Sequence, residues 1–371
     1  MGADNQTEIF GHITLPSGES VALDAHGFAT YIKTNYISLD YIFKQSFVDY
    51  MDTHVMRDVR AKLLDGMDEV SVEYVKNHER MVHYVINAND CLVKQQAFWT
   101  DTDRYLFKRH DEWVAKGEPA FLKQVNLEWS SSYTNLYGMY DVLPLLSKVK
   151  KSELHEEVAA NLKVEADSEG MVEVNYQDRF NGKAVVDIGG YIGDTVILFR
   201  DLYSLSKIYA FEPQSGNYES MIKTLSADVA SGRVIPVKTG LGDKSDTLRI
   251  SGFQGKVDAT ATASVTADYN IPEFYEDVPV ITFDSYVKEH QLEVGVIKID
   301  VEGFEVEIVK GALDTIKSQR PLLVVAIYHN APEFYELKSY LEELNLGYKF
   351  CIRRSTLGNP STDLVLIAYP D

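Results

Sequence analysis

Ala184-Val185-Val186-Asp187-Ile188-Gly189-Gly190-Tyr191-Ile192-Gly193-Asp194 is the stretch on which the reading of this chain turns. Its first five residues are an apolar run broken only by Asp187, as in a strand covered on both faces. Glycines follow, and from about Ile192 to Leu205 the apolar spacing becomes helical. Strand, tight turn and helix N-terminus in that order suit a nucleotide-type cofactor. Glycines bring the backbone close to a ligand, and the first helical turn offers unpaired N–H groups. Position 188 is Ile, so the G-x-G-x-x-G of dinucleotide enzymes is absent. Asp187 instead puts a carboxylate at the strand end, which repels a pyrophosphate and can attract the ammonium of a methionine moiety. The plainer alternative is a glycine turn used only for packing.

Further along, strands and helices alternate. The strand Lys207–Phe211 ends on Glu212, 19 residues beyond Gly193. An acidic residue there can accept both hydroxyls of a ribose, a feature shared by NAD and S-adenosylmethionine enzymes. A helix over about Ser215–Ala230 and a strand over Val234–Val237 come next, then a turn-rich insertion at roughly 240–279. Val294–Ile299 is a strand, Glu305–Ile316 a helix, Leu322–Ile327 a strand and Glu333–Leu344 a helix. Two strands near Tyr348–Ile352 and Leu364–Tyr369 close the chain. This alternation predicts an α/β fold with a mostly parallel sheet.

Two more groups carry chemistry. In Ile297-Lys298-Ile299-Asp300-Val301-Glu302-Gly303-Phe304-Glu305, Asp300 and Glu302 emerge at a strand end, where ligands of open α/β sheets bind. Paired carboxylates can orient a hydroxyl, take its proton, or hold a hard cation. The plainer role for Asp300 is to cap the next helix. In Ile327-Tyr328-His329-Asn330, His329 stands where a base or metal ligand is useful, although a histidine at a strand end is commonly structural.

D-I-G-G-x-I-G-D, Y-A-F-E-P, L-G-D (Leu241-Gly242-Asp243), I-K-I-D-V-E-G-x-E and Lys310-Gly311-Ala312 together resemble the FkbM-type S-adenosylmethionine-dependent methyltransferases over roughly residues 175–370. The resemblance implies a Rossmann-like class I methyltransferase sheet of seven strands, mostly parallel, with an antiparallel final hairpin. It also implies S-adenosyl-L-methionine as cofactor and O-methylation, often of sugar hydroxyls. It sets Asp187, Gly189 and Gly193 at the methionine end, Glu212 at the ribose and Asp300 beside the transferred methyl. Asp243 either meets the adenine or shapes its loop. Asp300, Glu302 and His329 are the candidate proton acceptors. In the family an acidic residue often precedes the histidine, and Ala326-Ile327-Tyr328-His329 lacks it. Some related sugar methyltransferases use magnesium, but no metal ligand is assigned here.

Residues 1–150 read as a mainly helical N-terminal domain serving as lid, acceptor pocket or oligomer contact, 151–182 as a connector, and 183–371 as the cofactor domain. The first 25 residues look like a short strand pair around Pro16-Ser17-Gly18. From Gly27 to Lys151 the texture is helical: Phe43, Phe47, Tyr50 and Met51 recur at spacings of three and four, as do Val70, Tyr74 and Val75. Further helices are expected near Met81–Val93, Tyr105–Val114 and from Lys150. Asp167–Gly170 is a turn and Met171–Val174 a strand. Tyr133, Tyr137 and Tyr140 could stack on a sugar or simply fill a domain interface.

The net charge of −20 repels nucleic acid and anionic lipid. Two cysteines, Cys91 and Cys351, exclude a thiolate zinc site. With no basic, apolar leader and no run near ~18 apolar residues, the expectation is a soluble, cytoplasmic protein. Its partner would be a small-molecule or glycan acceptor, and a homo-oligomer is compatible with the sequence. A non-catalytic scaffold on a methyltransferase fold and an NAD-dependent oxidoreductase are the rival readings.

Overall fold

The computed structural model describes residues 9–14, 20–24, 41–87, 100, 104, 145–150, 171–175, 177–252, 274–354 and 364–370. Near the start, β1 (Ile9–Thr14) pairs antiparallel with β2 (Ser20–Asp24), as the turn residues between them predict. Three helices follow: α1 (Tyr41–Thr53), α2 (Met56–Leu64) and α3 (Glu69–Asn87). The helical texture read up to Lys151 is corrected at its end, where β3 (Leu145–Lys150) pairs antiparallel with β4 (Met171–Asn175). The partner lies some twenty residues away, so local periodicity carries no sign of it. The expected helix at Tyr105–Val114, the charged helix after Lys150, the turn at 167–170, and Cys91, Tyr133, Tyr137 and Tyr140 lie outside the described residues.

After the short α4 (Gln177–Phe180) the alternation is as expected: β5 (Ala184–Ile188), α5 (Asp194–Leu202) and β6 (Ile208–Phe211). The helix expected over Ser215–Ala230 is two, α6 (Ser215–Thr224) and α7 (Ser226–Ala230), before β7 (Val234–Val237). The turn-rich insertion is corrected to a small three-stranded sheet of β8 (Gly240–Leu241), β9 (Asp246–Gly252) and β10 (Phe274–Ile281). Ile250, Val278 and Val280 turn inward, which is the side-chain alternation of a half-buried antiparallel pair. Thr282 then caps α8 (Phe283–His290) by accepting from Ser285 N.

Next come β11 (Val294–Ile299), then α9 (Glu305–Lys310) and α10 (Leu313–Gln319), which divide one expected helix. A Cβ at Gly311 would lie 1.9 Å from the carbonyl oxygen of Gly242. Leu241-Gly242-Asp243 and Lys310-Gly311-Ala312 therefore meet in space and hold the small sheet against α9. β12 (Leu322–Ala326), α11 (Ala331–Glu342), β13 (Tyr348–Arg354) and β14 (Leu364–Pro370) complete the chain.

The main sheet has seven strands in the order β13-β14-β12-β11-β5-β6-β7. β12, β11, β5, β6 and β7 run parallel, and β14 joins antiparallel to β12 and to β13, giving the final hairpin. Alternate residues feed two apolar layers: Val186, Ile297 and Leu323 face one side, Val185, Val296 and Val324 the other. The second layer is closed by α5 and α6. The first is closed by α11 together with α1–α3, because Phe47, Tyr50, Leu63 and Tyr74 share a cluster with Phe334, Tyr335 and Leu341. Polar bonds lock this seam. Arg353 grips Asp68 through both terminal nitrogens, at 2.6 and 3.2 Å, and buried Lys338 donates to Asp65 O at 2.7 Å. Burial lowers the affinity of Asp68 for its charge, but the Arg353 guanidinium outweighs it and holds the carboxyl below its usual range. Among the described residues no helix is long and apolar enough to cross a membrane.

Candidate functional site

The strand order reverses at β5, which is flanked by β6 on one side and β11 on the other. Open α/β sheets bind ligands beyond the carboxyl ends of the strands at such a switch point, here those of β5 and β11. The two strand-end turns are in backbone contact there. Asp300 N donates to Ile188 O at 3.1 Å, and a Cβ at Gly189 would come within 1.8 Å of Asp300 O. Gly189 also sits at φ 84°, so no other residue fits that position without strain. The first and third sequence motifs, a hundred residues apart, are thus one surface.

Asp187 is fully buried, and its carboxylate is spent internally: Oδ1 lies 3.1 Å from Lys298 Nζ and Oδ2 accepts from Thr195 Oγ1. Lys298 Nζ donates as well to Gly189 O at 3.0 Å. Burial pushes the Asp187 carboxyl up, and Lys298 and Thr195 pull it back. Burial likewise disfavours the Lys298 charge, yet Asp187, Asp300 and Asp194 outweigh it and keep the ammonium above its ordinary range. For Asp187, the ammonium met in the structure is that of Lys298. Its carboxylate, with Lys298, braces the glycine turn from beneath. A lysine inside an otherwise apolar strand was the signal for Lys298.

Gly193, at φ 90°, is the N-cap of α5 and offers no side-chain cap, while the first-turn N–H of Thr195 donates to Asp194 Oδ1 at 3.0 Å. Glu212 lies across the turn. Its Oε2 accepts from Tyr191 N at 3.0 Å and its Oε1 from Gln214 N at 2.9 Å. Burial pushes the Glu212 carboxyl up to about 7, against those N–H bonds. The Asn217 side chain bonds the same carboxylate. Asp243 stands exposed on the turn between β8 and β9, its Cα against Gly311, which favours the loop-shaping role over contact with a ligand.

Asp300 does not cap α9, whose N-cap is Phe304 without a side-chain bond. Glu305, fully buried, organises the 300–304 turn instead by accepting from Val301 N at 2.9 Å and Gly303 N at 3.0 Å. The turn is tight enough to hold Glu302 at φ 62°. His329 comes in from the end of β12, buried, with Nδ1 2.9 Å from Glu305 Oε1 and 3.9 Å from Glu333 Oε2. Its Nε2 lies 3.6 Å from Asp300 Oδ1 and 3.7 Å from Glu302 Oε2. The acidic residue missing from Ala326-Ile327-Tyr328-His329 is therefore supplied from α9 and α11, a pairing that only the fold creates. Asn330 caps α11 by accepting from Glu333 N at 3.0 Å, and Ala331 N donates to Ser46 Oγ of α1 at 3.1 Å, so the N-terminal helices abut this turn.

Asp300, Glu305 and His329 offer donor atoms within 4.8 Å of one another, a spacing a cation could use. Glu305, however, is already committed to two backbone N–H groups and to the imidazole. It is an internal buttress rather than an open ligand. Missed by sequence reasoning were Lys298, Thr195, Glu305 and Glu333. Glu333 gave no signal, because a glutamate in a first helical turn is ordinary.

Residues 187–350 match the family model described as the Methyltransferase FkbM domain. The hexuronic acid methyltransferase AglP of Haloferax volcanii is 27% identical over 162 residues, 43% of this chain and 62% of that protein. Methyltransferase 1 of Beauveria bassiana is 22% identical over 200 residues, 49% of this chain and 79% of its own. Among solved structures, methyltransferase FkbM from Methylobacillus flagellatus aligns with a TM-score of 0.40 and 19% identity, covering 51% of this chain and 44% of that one. The chain thus covers less than two thirds of AglP and of the Methylobacillus protein.

Proposed function

We propose, from the match of residues 187–350 to the FkbM methyltransferase domain, that this chain moves a methyl group from S-adenosylmethionine to a hydroxyl oxygen of a sugar or glycan acceptor. The observation that carries the reading is the contact between the glycine turn and the Asp300 turn. One crevice then holds a cofactor cradle on one wall and proton-accepting groups on the other. The α5 N-terminus and Glu212 would receive the cofactor, Glu212 through the ribose hydroxyls. Lys298, through Gly189 O, and Asp187 would hold the turn rigid from beneath.

In-line methyl transfer needs alignment above all, and a fixed site can supply much of the barrier reduction that way. Bound S-adenosylmethionine would supply the methyl group to the acceptor oxygen, and the hydroxyl proton would pass to a neighbouring base. Asp300 and Glu302, with His329 buried beside them, are the candidate bases. AglP acts on a hexuronic acid, which supports a sugar-type acceptor here.

Thermal shift with S-adenosylmethionine, S-adenosylhomocysteine and NAD tests the reading. Stabilisation by the first two is expected. A response to NAD alone would sink it in favour of an oxidoreductase, and no response to any of the three would favour a scaffold.

A further inference from the structure

Among the described residues, four carboxyl side chains converge on one imidazole. Asp300 and Glu302 come from the turn after β11, Glu305 from α9 and Glu333 from α11, all within 3.9 Å of a ring nitrogen of His329. The Tyr328 ring packs beside it with centroids 3.9 Å apart. Carboxylates thus lie against both edges of the ring, Glu305 and Glu333 at Nδ1, Asp300 and Glu302 at Nε2. A neutral imidazole has a single N–H and would turn a lone pair toward one of these groups. Only the doubly protonated ring offers a donor to each.

We infer that His329 is a positioning residue, a buried imidazolium anchored by Glu305 that faces Asp300 and Glu302, so that the proton released in methyl transfer goes to a carboxylate and not to the imidazole. The inference rests on the methyl-transfer reading above. Burial works against the charge, but Glu305, Glu302 and Asp300 hold the imidazole well above its usual range. In the step itself the O–C bond forms as the C–S bond breaks. The electron pair stays on sulfur, Asp300 or Glu302 gains the hydroxyl proton, and His329 keeps both of its protons throughout. Glu305 fixes the turn and the ring together, since it binds Val301 N, Gly303 N and Nδ1 at once.

The test is nitrogen NMR of the full chain carrying labelled histidine, with His329 assigned by H329Q or, if that variant does not fold, by the signal that moves in E305Q. The expected result is two protonated ring nitrogens from about pH 6 to about pH 8, with E305Q lowering the titration by about one pH unit or more. A singly protonated ring at neutral pH in the unaltered protein would overturn the inference and make His329 the base. Calorimetry with S-adenosylhomocysteine on the same sample separates the two proposals. Absence of binding would remove methyl transfer, whereas the ring titration reports the charge state on its own.

Discussion

At the glycine turn Asp187 faces Lys298 at 3.1 Å and Thr195 besides, and Glu212 accepts two backbone N–H bonds; across the crevice four carboxylates share the one ring of His329. In the first region the Lys298 ammonium sits among Asp187, Asp194 and Asp300, and Glu212 is held by N–H bonds, which suits a turn that must not move. In the second, among the described residues, Asp300, Glu302 and Glu305 face the imidazole of His329 while burial keeps a proton on Glu333.

The comparison breaks most readily at Lys298. Lys298→Met leaves Asp187 buried without its cation, and a loss of about 3–5 kcal/mol in denaturant unfolding is expected. An unchanged midpoint would show that the cradle does not depend on that pair. Glu212→Ala should weaken S-adenosylhomocysteine binding at least tenfold, about 1.4 kcal/mol by calorimetry. Unaltered affinity would remove the ribose assignment.

A smaller effect concerns pH. Burial pushes Glu212 up to about 7, while ribose hydroxyls favour the ionised carboxylate. Cofactor binding therefore expels a proton, and affinity should rise about fivefold as pH increases through that value, flat in Glu212→Gln. A pH-independent affinity in the unaltered protein would contradict this.

The smallest effect has the opposite sign. Burial and the neighbouring Glu305 push Glu333 well up, so the folded chain holds a proton there that the unfolded chain releases above the ordinary carboxylate range. Its stability is therefore lost as pH rises. Glu333→Gln should be more stable than the unaltered protein near pH 8, by about 0.5–1 kcal/mol, and equal to it near pH 4. A destabilised variant would mean that Glu333 helps to hold His329 rather than crowding it.

Much of this was legible in the chain. Val185, Val186 and Ile188 announce a doubly covered strand, Gly189 a close approach and Glu212 a strand-tip acceptor, because each is a local consequence of backbone geometry. Other features were not. Gly242 and Gly311 look like two unrelated turns until the carbonyl of one fills the place of a Cβ on the other. The small sheet of β9 and β10 reads as loop because its pairing joins segments separated by residues 253–273. The seam of Asp68 with Arg353 spans most of the chain, and no periodicity foreshadows it.

By itself the sequence determined the alternating strands and helices, the cofactor-type turn and the carboxylates of the Asp300 motif, since these depend on residues a few positions apart. Tertiary structure alone decided what those carboxylates do. It turned Asp187 inward onto Lys298, gave His329 the acidic partners its own segment lacks, and set α1–α3 against α11. The physical reason is that buried charges take their properties from neighbours in space, and those neighbours come from different strands and helices of the fold.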